Sequence, residues 1–148
     1  MVYSRYTWVD NTTVVNATRM NALEGAAAHA DVKVGSFTRD LSTASGTQAI
    51  TGVGFEPTAV MFFAIVDTTT QTSWGMDDGT ISSANMDNYG DTANTYRNDL
   101  GHSIWLRPNA TNYSYAKITS LDSDGFTLTW VKNNSPTGTA TIMYMAFR

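Results

Sequence analysis

Short strand-like segments recur from Val32 to the C-terminus, and this recurrence limits the possible fold more than any other feature. The segments are rich in β-branched and aromatic residues, and Gly, Pro, Asn or Asp separates each from the next. The predicted strands are Lys33–Thr38, Thr47–Thr51, Ala59–Val66, Ser73–Met76, Thr80–Ile81, His102–Arg107, Tyr113–Leu121, Phe126–Val131 and Thr139–Phe147. About eight strands with short turns predict an all-β fold, an antiparallel β-sandwich that is jelly-roll-like.

The residue pattern of two of these segments predicts which faces of the strand are buried. Ala59–Val66 reads AVMFFAIV, which is apolar at every position, so we expect a central strand that is covered on both faces. In the later segment Phe126, Leu128 and Trp130 alternate with threonines, which predicts one buried face and one exposed face.

Residues 1–31 do not follow the β pattern, so we divide the chain into an anchoring region, 1–31, and a β-sandwich domain, 32–148. Residues 1–16 read as an extended arm with three aromatic side chains, which would be a liability unless a partner buries them. Asn16 is a suitable N-cap for a helix over Ala17–Ala30. The residues expected to anchor or assemble the protein are Tyr3, Tyr6, Trp8, Val14, Val15, Met20, Leu23 and Ala27.

The predicted helix has two interpretations. Met20, Leu23, Ala27 and Ala30 are spaced three, four and three residues apart, as on one apolar stripe of a helix. Such a stripe suits a helix that lies on its own domain. It also suits a three-chain helical neck, because small residues let helices approach closely around an axis.

Charge and composition exclude several classes of function. Only 15% of the residues are charged, the net charge is −4, and the few Lys and Arg residues are scattered, so we expect no nucleic-acid partner. The absence of cysteine excludes disulfides, thiolate catalysis and thiolate zinc sites. The first residues lack the apolar core of a signal peptide, and the longest apolar run, Ala59–Val66, is too short to cross a membrane. We therefore expect no export signal and no membrane insertion.

The segment from Met86 to Gly101 interrupts the strand pattern and is predicted to be a long loop. Loops of this length are often binding loops or segments that a partner orders. Aromatic rings among amides and carboxylates would suit a glycan, while a subunit contact and a plain surface loop remain alternatives. The candidate contact residues are Asn88, Tyr89, Asp91, Asn94, Tyr96 and Arg97.

Catalytic signatures are sparse, so we expect no enzyme activity, no cofactor and no metal. The two histidines, His29 and His102, are not near a motif-like nucleophile. Asp77 and Asp78 are followed by Gly79, which is a turn signature more than an acid–base pair. Asp122 and Asp124 resemble the first ligands of a calcium-binding loop. However, the fifth position of such a loop would be Phe126, and no glutamate follows at position twelve.

Two parts of the chain resemble proteins of tailed-bacteriophage particles. Trp8, Val14-Val15, Ala17, Met20-Asn21 and Glu24 match the N-terminal segment of many fibre, baseplate and minor tail proteins. A Gly-Phe-x-Pro corner at Gly54–Pro57 and a later Asp-Gly-Phe corner at Asp124–Phe126 are similar to a β module of virion proteins. The usual fibre carries a long repetitive shaft between anchor and tip, and this chain does not.

The resemblance implies a virion structural protein that is assembled in the host cytoplasm. It implies a homotrimer that acts as a tail fibre or receptor-binding knob, anchored through residues 1–31 to tail or baseplate proteins and in contact with a host surface glycan. A capsid decoration protein that binds the major capsid protein is the alternative. A polysaccharide hydrolase is a distant third.

Overall fold

The computed structural model describes residues 17–28, 31–67, 71–88, 97–109 and 111–148. The chain divides into two compact units, Met1–Asp31 and Val32–Arg148. The described part of the first unit is helix α1, Ala17–Ala28. The described part of the second contains ten strands: β1 (Val32–Asp40), β2 (Gly46–Thr51), β3 (Ala59–Val66), β4 (Gln71–Asp77), β5 (Ser82–Asn88), β6 (Arg97–Leu100), β7 (Ile104–Leu106), β8 (Tyr113–Asp122), β9 (Gly125–Asn133) and β10 (Thr139–Phe147).

The strands form two antiparallel sheets, which confirms the predicted all-β sandwich. Sheet A has the order β1-β10-β3-β4-β5-β6, and sheet B has the order β2-β9-β8-β7. The first strand pairs with the last, and the second pairs with the one before the last, as in a jelly roll. Between them, β3 to β6 and β7 to β9 run as meanders, each within one sheet.

The hydrophobic core lies between the two sheets. Phe62 of β3 and Tyr144 of β10 both make edge contacts with the ring of Phe126 on β9, at centroid distances of 5.6 and 5.3 Å. Leu128 and Trp130 are buried on the same side of β9 as Phe126, as the alternation of that strand predicted.

Strand β4 faces the core with polar residues instead of apolar ones. Gln71, Ser73 and Asp77 are buried, whereas the intervening Trp74 and Met76 are exposed. The inward side chains bind the free edge of sheet B: the Ser73 hydroxyl accepts a bond from the backbone N–H of Trp105, 3.0 Å away. The inward polar side chains of β4 therefore join the two sheets with hydrogen bonds. The large apolar side chains of β4 lie on the outer face.

The side chain of Gln71 continues this connection at the end of β7. Its amide oxygen accepts a bond from the backbone N–H of Arg107, and its amide nitrogen donates to the carbonyl of the same residue. The Gln71 amide thus makes the hydrogen bonds that a neighbouring strand would make at this edge of sheet B. Without it, the backbone N–H and carbonyl of Arg107 would lose these bonds.

Several predicted boundaries change in the structure. Thr80 and Ile81 belong to the β4–β5 turn, where their N–H groups bind the Asp78 carboxylate, so the prediction of a strand there was wrong. The predicted loop 86–101 is shorter than expected, because β5 runs to Asn88 and β6 begins at Arg97. Helix α1 is described to Ala28, and the last two residues of the predicted helix lie outside the described ranges.

The prediction that β3 is covered on both faces was wrong within the described structure. Its inward residues, such as Phe62 and Ala64, are buried under sheet B, as expected. Its outward residues Met61 and Ile65 are exposed. The apolar sequence of β3 was interpreted as the sign of a second covering layer, but no described strand of the second unit supplies that layer.

Candidate assembly interface

The outer face of sheet A carries an exposed apolar surface, which we call the assembly face. Trp74 is 57% exposed, Val34 58% and Met143 50%, values unusual for such large apolar side chains. The apolar side chains of the assembly face are Val32, Val34, Met61, Phe63, Ile65, Trp74, Met76, Met143 and Met145. They come from four adjacent strands, β1, β10, β3 and β4.

Strand register brings these residues side by side across the sheet. One row across the four strands is Val34, Met145, Met61 and Met76. The next row is Ser36, Met143, Phe63 and Trp74. Because cross-strand neighbours on one face lie about 5 Å apart, the side chains form one continuous surface rather than scattered exposed residues.

A shallow groove of about 270 Å³ lies within the assembly face. Phe63 and Trp74 form one wall, with ring centroids 4.6 Å apart. Met143 and Met145 line it as well, and methionine side chains adapt their shape to whatever covers them. Aromatic rings beside flexible thioethers are the composition found in the centres of protein interfaces.

The middle rows of the assembly face are uncharged, and the charged Asp40 lies only at the end of β1. The remaining outward positions of its middle rows are hydroxyl residues, including Ser36, Thr72 and Thr141. Nothing in this part of the described structure provides a nucleophile, an acid–base pair or a ligand for a metal ion. The arrangement suits the burial of apolar area against another protein surface.

The predicted anchoring residues fall mostly outside the described residues. This applies to Tyr3, Tyr6, Trp8, Val14 and Val15. In helix α1, Met20 is 43% exposed and Leu23 is 36% exposed, so their side chains are accessible, and Ala27 lies in the last turn. The assignment of these residues to anchoring stays a prediction.

The predicted contact loop is described only at its ends. Asn88 is the last residue of β5 and Arg97 is the first residue of β6, so both belong to strands. Tyr89, Asp91, Asn94 and Tyr96 lie outside the described residues.

An aromatic cluster that the sequence analysis did not identify packs beside β5. The indole of Trp105 stacks on the rings of Tyr113 and Tyr115, at 5.4 and 4.8 Å. His102 packs against Tyr115, with ring centroids 4.2 Å apart. The Tyr-x-Tyr spacing places both tyrosines on one face of β8, and this spacing was the available signal.

The carboxylates considered for catalysis or calcium serve the fold. Asp77 is buried and accepts bonds from the backbone N–H groups of Gly79 and Ile118, each 2.9 Å away. Asp122 accepts a bond from the Thr127 hydroxyl, 2.8 Å away. Among the described residues, no group of three His, Asp or Glu side chains is placed to hold a metal ion.

Asp124 connects the corners at Gly54–Pro57 and Asp124–Phe126, whose motifs are similar to those of the virion β module. Its carboxylate accepts bonds from the backbone N–H groups of Gly52 and Gly54, at 3.0 and 2.7 Å. These bonds lower the pKa of Asp124 below the ordinary value of an aspartate. The Gly-Phe-x-Pro and Asp-Gly-Phe motifs therefore form one structural unit at the end of the sandwich.

Comparisons of the chain with protein-family models, with curated proteins and with solved structures found no match. In the part of the chain that the structure describes, no helix is long and apolar enough to cross a membrane.

Proposed function

We propose that this protein is a structural component of a tailed-bacteriophage virion, assembled in the host cytoplasm as a homotrimer. In this proposal residues 1–31 anchor it to a neighbouring virion protein, and the β-sandwich forms the exposed body. The body acts as a tail fibre tip or receptor-binding knob. The proposal assigns it no catalytic role, no cofactor, no nucleic-acid contact and no insertion into a membrane.

The observation that carries the proposal is the assembly face. A continuous exposed apolar surface of several hundred Å² often marks a contact site, because contact between water and apolar side chains is unfavourable. The apolar surface across β1, β10, β3 and β4 suits a protein whose role is to assemble with others. The resemblance of the N-terminal segment and the two corners to phage proteins supports the particle as the place of assembly.

A capsid decoration protein is the second candidate. Helix α1 ends at Ala28 and β1 begins at Val32, so no shaft separates the anchoring region from the body. A β domain that follows its anchoring region in the sequence without a long repetitive shaft suits a protein that sits on a capsid lattice and contacts the major capsid protein. If the protein is instead the receptor-binding knob of the first proposal, the segment between β5 and β6 would contact a host surface glycan.

The number of copies per purified particle distinguishes the two positions. Quantitative mass spectrometry of particles should find a handful of copies for a tail knob and hundreds for a decoration protein. Absence of the protein from purified particles would reject the proposal in both forms.

A deletion tests the anchoring role of the arm. Protein without residues 1–16 should keep the circular dichroism spectrum of a folded β body and should no longer join particles. Alanine at Thr47, an exposed strand residue of sheet B outside the anchoring region, is the control that should leave incorporation unchanged. Normal incorporation of the truncated protein would show that the arm is not the anchor.

A further inference from the structure

We propose that the assembly face binds second copies of the same chain, so that three such faces meet around the axis of the homotrimer. The inference deepens the proposed function and rests on it for the number three. The residues at the centre of the contact are Phe63, Trp74 and Met143, which lie in one row across adjacent strands.

The composition of the face is that of a contact between copies. Interfaces between identical chains are more apolar than transient interfaces, with aromatic residues and methionine enriched and charged residues depleted. Four methionines, Trp74 and Phe63 occupy outward positions on three adjacent strands, β10, β3 and β4. A partner encountered only later would leave this surface open to water after synthesis, whereas identical chains are made together and cover it at once.

The charge distribution favours the same occupant. The chain carries a net charge of −4, so two copies repel each other at most orientations. The middle rows of the assembly face hold Ser36, Thr72 and Thr141 beside the apolar residues and bring no like charges together. Contact centred on these rows therefore meets less repulsion than contact through a charged surface would.

The size of the face meets the requirement of a specific contact. Alternate residues of a strand lie about 6.7 Å apart and neighbouring strands about 4.8 Å apart. About four outward residues on each of the four strands therefore cover about 500 Å² of flat sheet. Two copies that face each other would bury about 1,000 Å², where specific interfaces begin, and three faces around one axis would bury about 1,500 Å² in all.

The full-length protein allows a direct test by size-exclusion chromatography with light scattering. Wild type should have three times the chain mass of 16.1 kDa. Trp74→Glu and Met143→Glu each place a charge of the same sign in every copy at the contact, and we expect the dissociation constant to rise at least about a hundredfold. Thr47→Glu is the matched control, because Thr47 is an exposed strand residue of sheet B and should leave the trimer intact.

Oxidation by dilute peroxide provides a measurement on the unaltered protein. Met61, Met76, Met143 and Met145 are all exposed on the single chain, whereas Met86 is buried. These four methionines of the assembly face should be protected from oxidation at protein concentrations where the trimer forms. They should be oxidised after dilution. Met86 should stay protected in both conditions, which checks that the sandwich remains folded.

Each outcome decides between the claims. A wild-type trimer that both glutamate variants dissociate supports the inference. A wild-type dimer that they dissociate supports contact through this face and removes the trimer from the proposed function. A wild-type monomer, or variants that remain trimeric, overturns the inference. If such variants also fail to enter particles, another virion protein covers the face, and the proposed function stands.

Discussion

The Asp124 carboxylate accepts a hydrogen bond from the backbone N–H of Gly54, 2.7 Å away, although the two residues are 70 positions apart in the chain. Gly52 donates to the other carboxylate oxygen, and the backbone N–H of Val53 donates to the Asp124 carbonyl, 3.1 Å away. Three consecutive N–H groups thus surround one aspartate. Gly52 and Gly54 have φ angles of 83° and 92°, which glycine adopts without strain. The loop and the β8–β9 turn therefore stabilise each other.

The first prediction concerns this pairing. Asp124→Ala removes the acceptor for two backbone N–H groups and should lower the thermal midpoint of unfolding. Ser123→Ala is the control, because Ser123 is the exposed neighbour in the same turn and should leave the midpoint unchanged. Differential scanning calorimetry of the two variants measures the difference. Equal midpoints would show that the loop holds its conformation without the carboxylate.

The second prediction is a loss of stability in acid. Bonds to backbone N–H groups lower the pKa of Asp124 and of Asp78 in the folded protein, and bonds from Ser42 lower the pKa of Asp40. A carboxylate with a lowered folded pKa contributes stability above its unfolded pKa, about 3.9, and this contribution is lost as the pH falls through the folded value. The free energy of unfolding should therefore decrease below about pH 4.

Urea titrations between neutral pH and acid measure this decrease. Asp124→Asn carries no titrating group at this position, so its free energy of unfolding should fall less steeply over the same range. Ser123→Ala, in the same turn, removes no titrating group and should retain the steeper dependence of the wild type. Identical slopes for wild type and Asp124→Asn would exclude this carboxylate as a source of the acid sensitivity.

Much of the fold could be predicted because the strands carry strong local signals. Ala59–Val66 and Thr139–Phe147 coincide with β3 and β10, since long apolar or alternating runs bounded by turn residues leave few alternatives. The β5 and β6 strands were missed because Ser, Asn and Asp dominate them, and such residues usually indicate a loop. Their strand conformation comes from pairing, of β5 with β4 and of β6 with β5, which local sequence does not report.

The candidate interface was harder to predict because β4 places polar side chains toward the core and large apolar side chains on the outer face. Alternation alone assigns Trp74 and Met76 to the core and Gln71 and Ser73 to solvent, and the structure shows the reverse. The inversion depends on β7, whose free edge needs hydrogen-bond acceptors and donors from the neighbouring sheet. Such a long-range requirement has no local signature. The apolar outer half of β3 was visible in the sequence, but whether it is covered by the same chain or by another one was not.

The third prediction tests the connection through Gln71. Gln71→Ala removes the side chain that bonds both backbone groups of Arg107, and this should reduce the free energy of unfolding by about 1–3 kcal/mol. Gln48→Ala is the control, because the Gln48 amide donates one bond to the Thr38 carbonyl at the surface. Urea unfolding measures both variants. A Gln71→Ala cost no larger than that of the control would mean that water replaces the amide at this edge.

The fourth prediction concerns the close approach of β4 to the chain before β7. A β-carbon added to Gly75 would lie 1.7 Å from the carbonyl oxygen of Ser103, so Gly75→Ala forces the two sheets apart. We expect a loss of about 1–3 kcal/mol, the usual cost of overpacking. Ser83→Ala, at an exposed position of the neighbouring strand, should change the free energy of unfolding by less than about 0.5 kcal/mol. A neutral Gly75→Ala variant would contradict the described packing.

The last prediction compares two tryptophans that sequence pattern treats alike. Trp130 is 1% exposed inside the sandwich and Trp74 is 57% exposed on the assembly face. In the dissociated chain, Trp130→Ala should cost about 3–5 kcal/mol because it leaves a large cavity. Trp74→Ala should cost less than about 1 kcal/mol, since it removes an exposed side chain from a strand. Urea unfolding should be measured where light scattering shows a single chain, and Met143→Glu supplies that state if the wild type stays assembled. Because the two substitutions remove the same atoms, their difference depends on position alone. A large cost for Trp74→Ala in the single chain would place this indole in the folding core, and the apolar outer surface would then serve the fold of one chain rather than contact between chains.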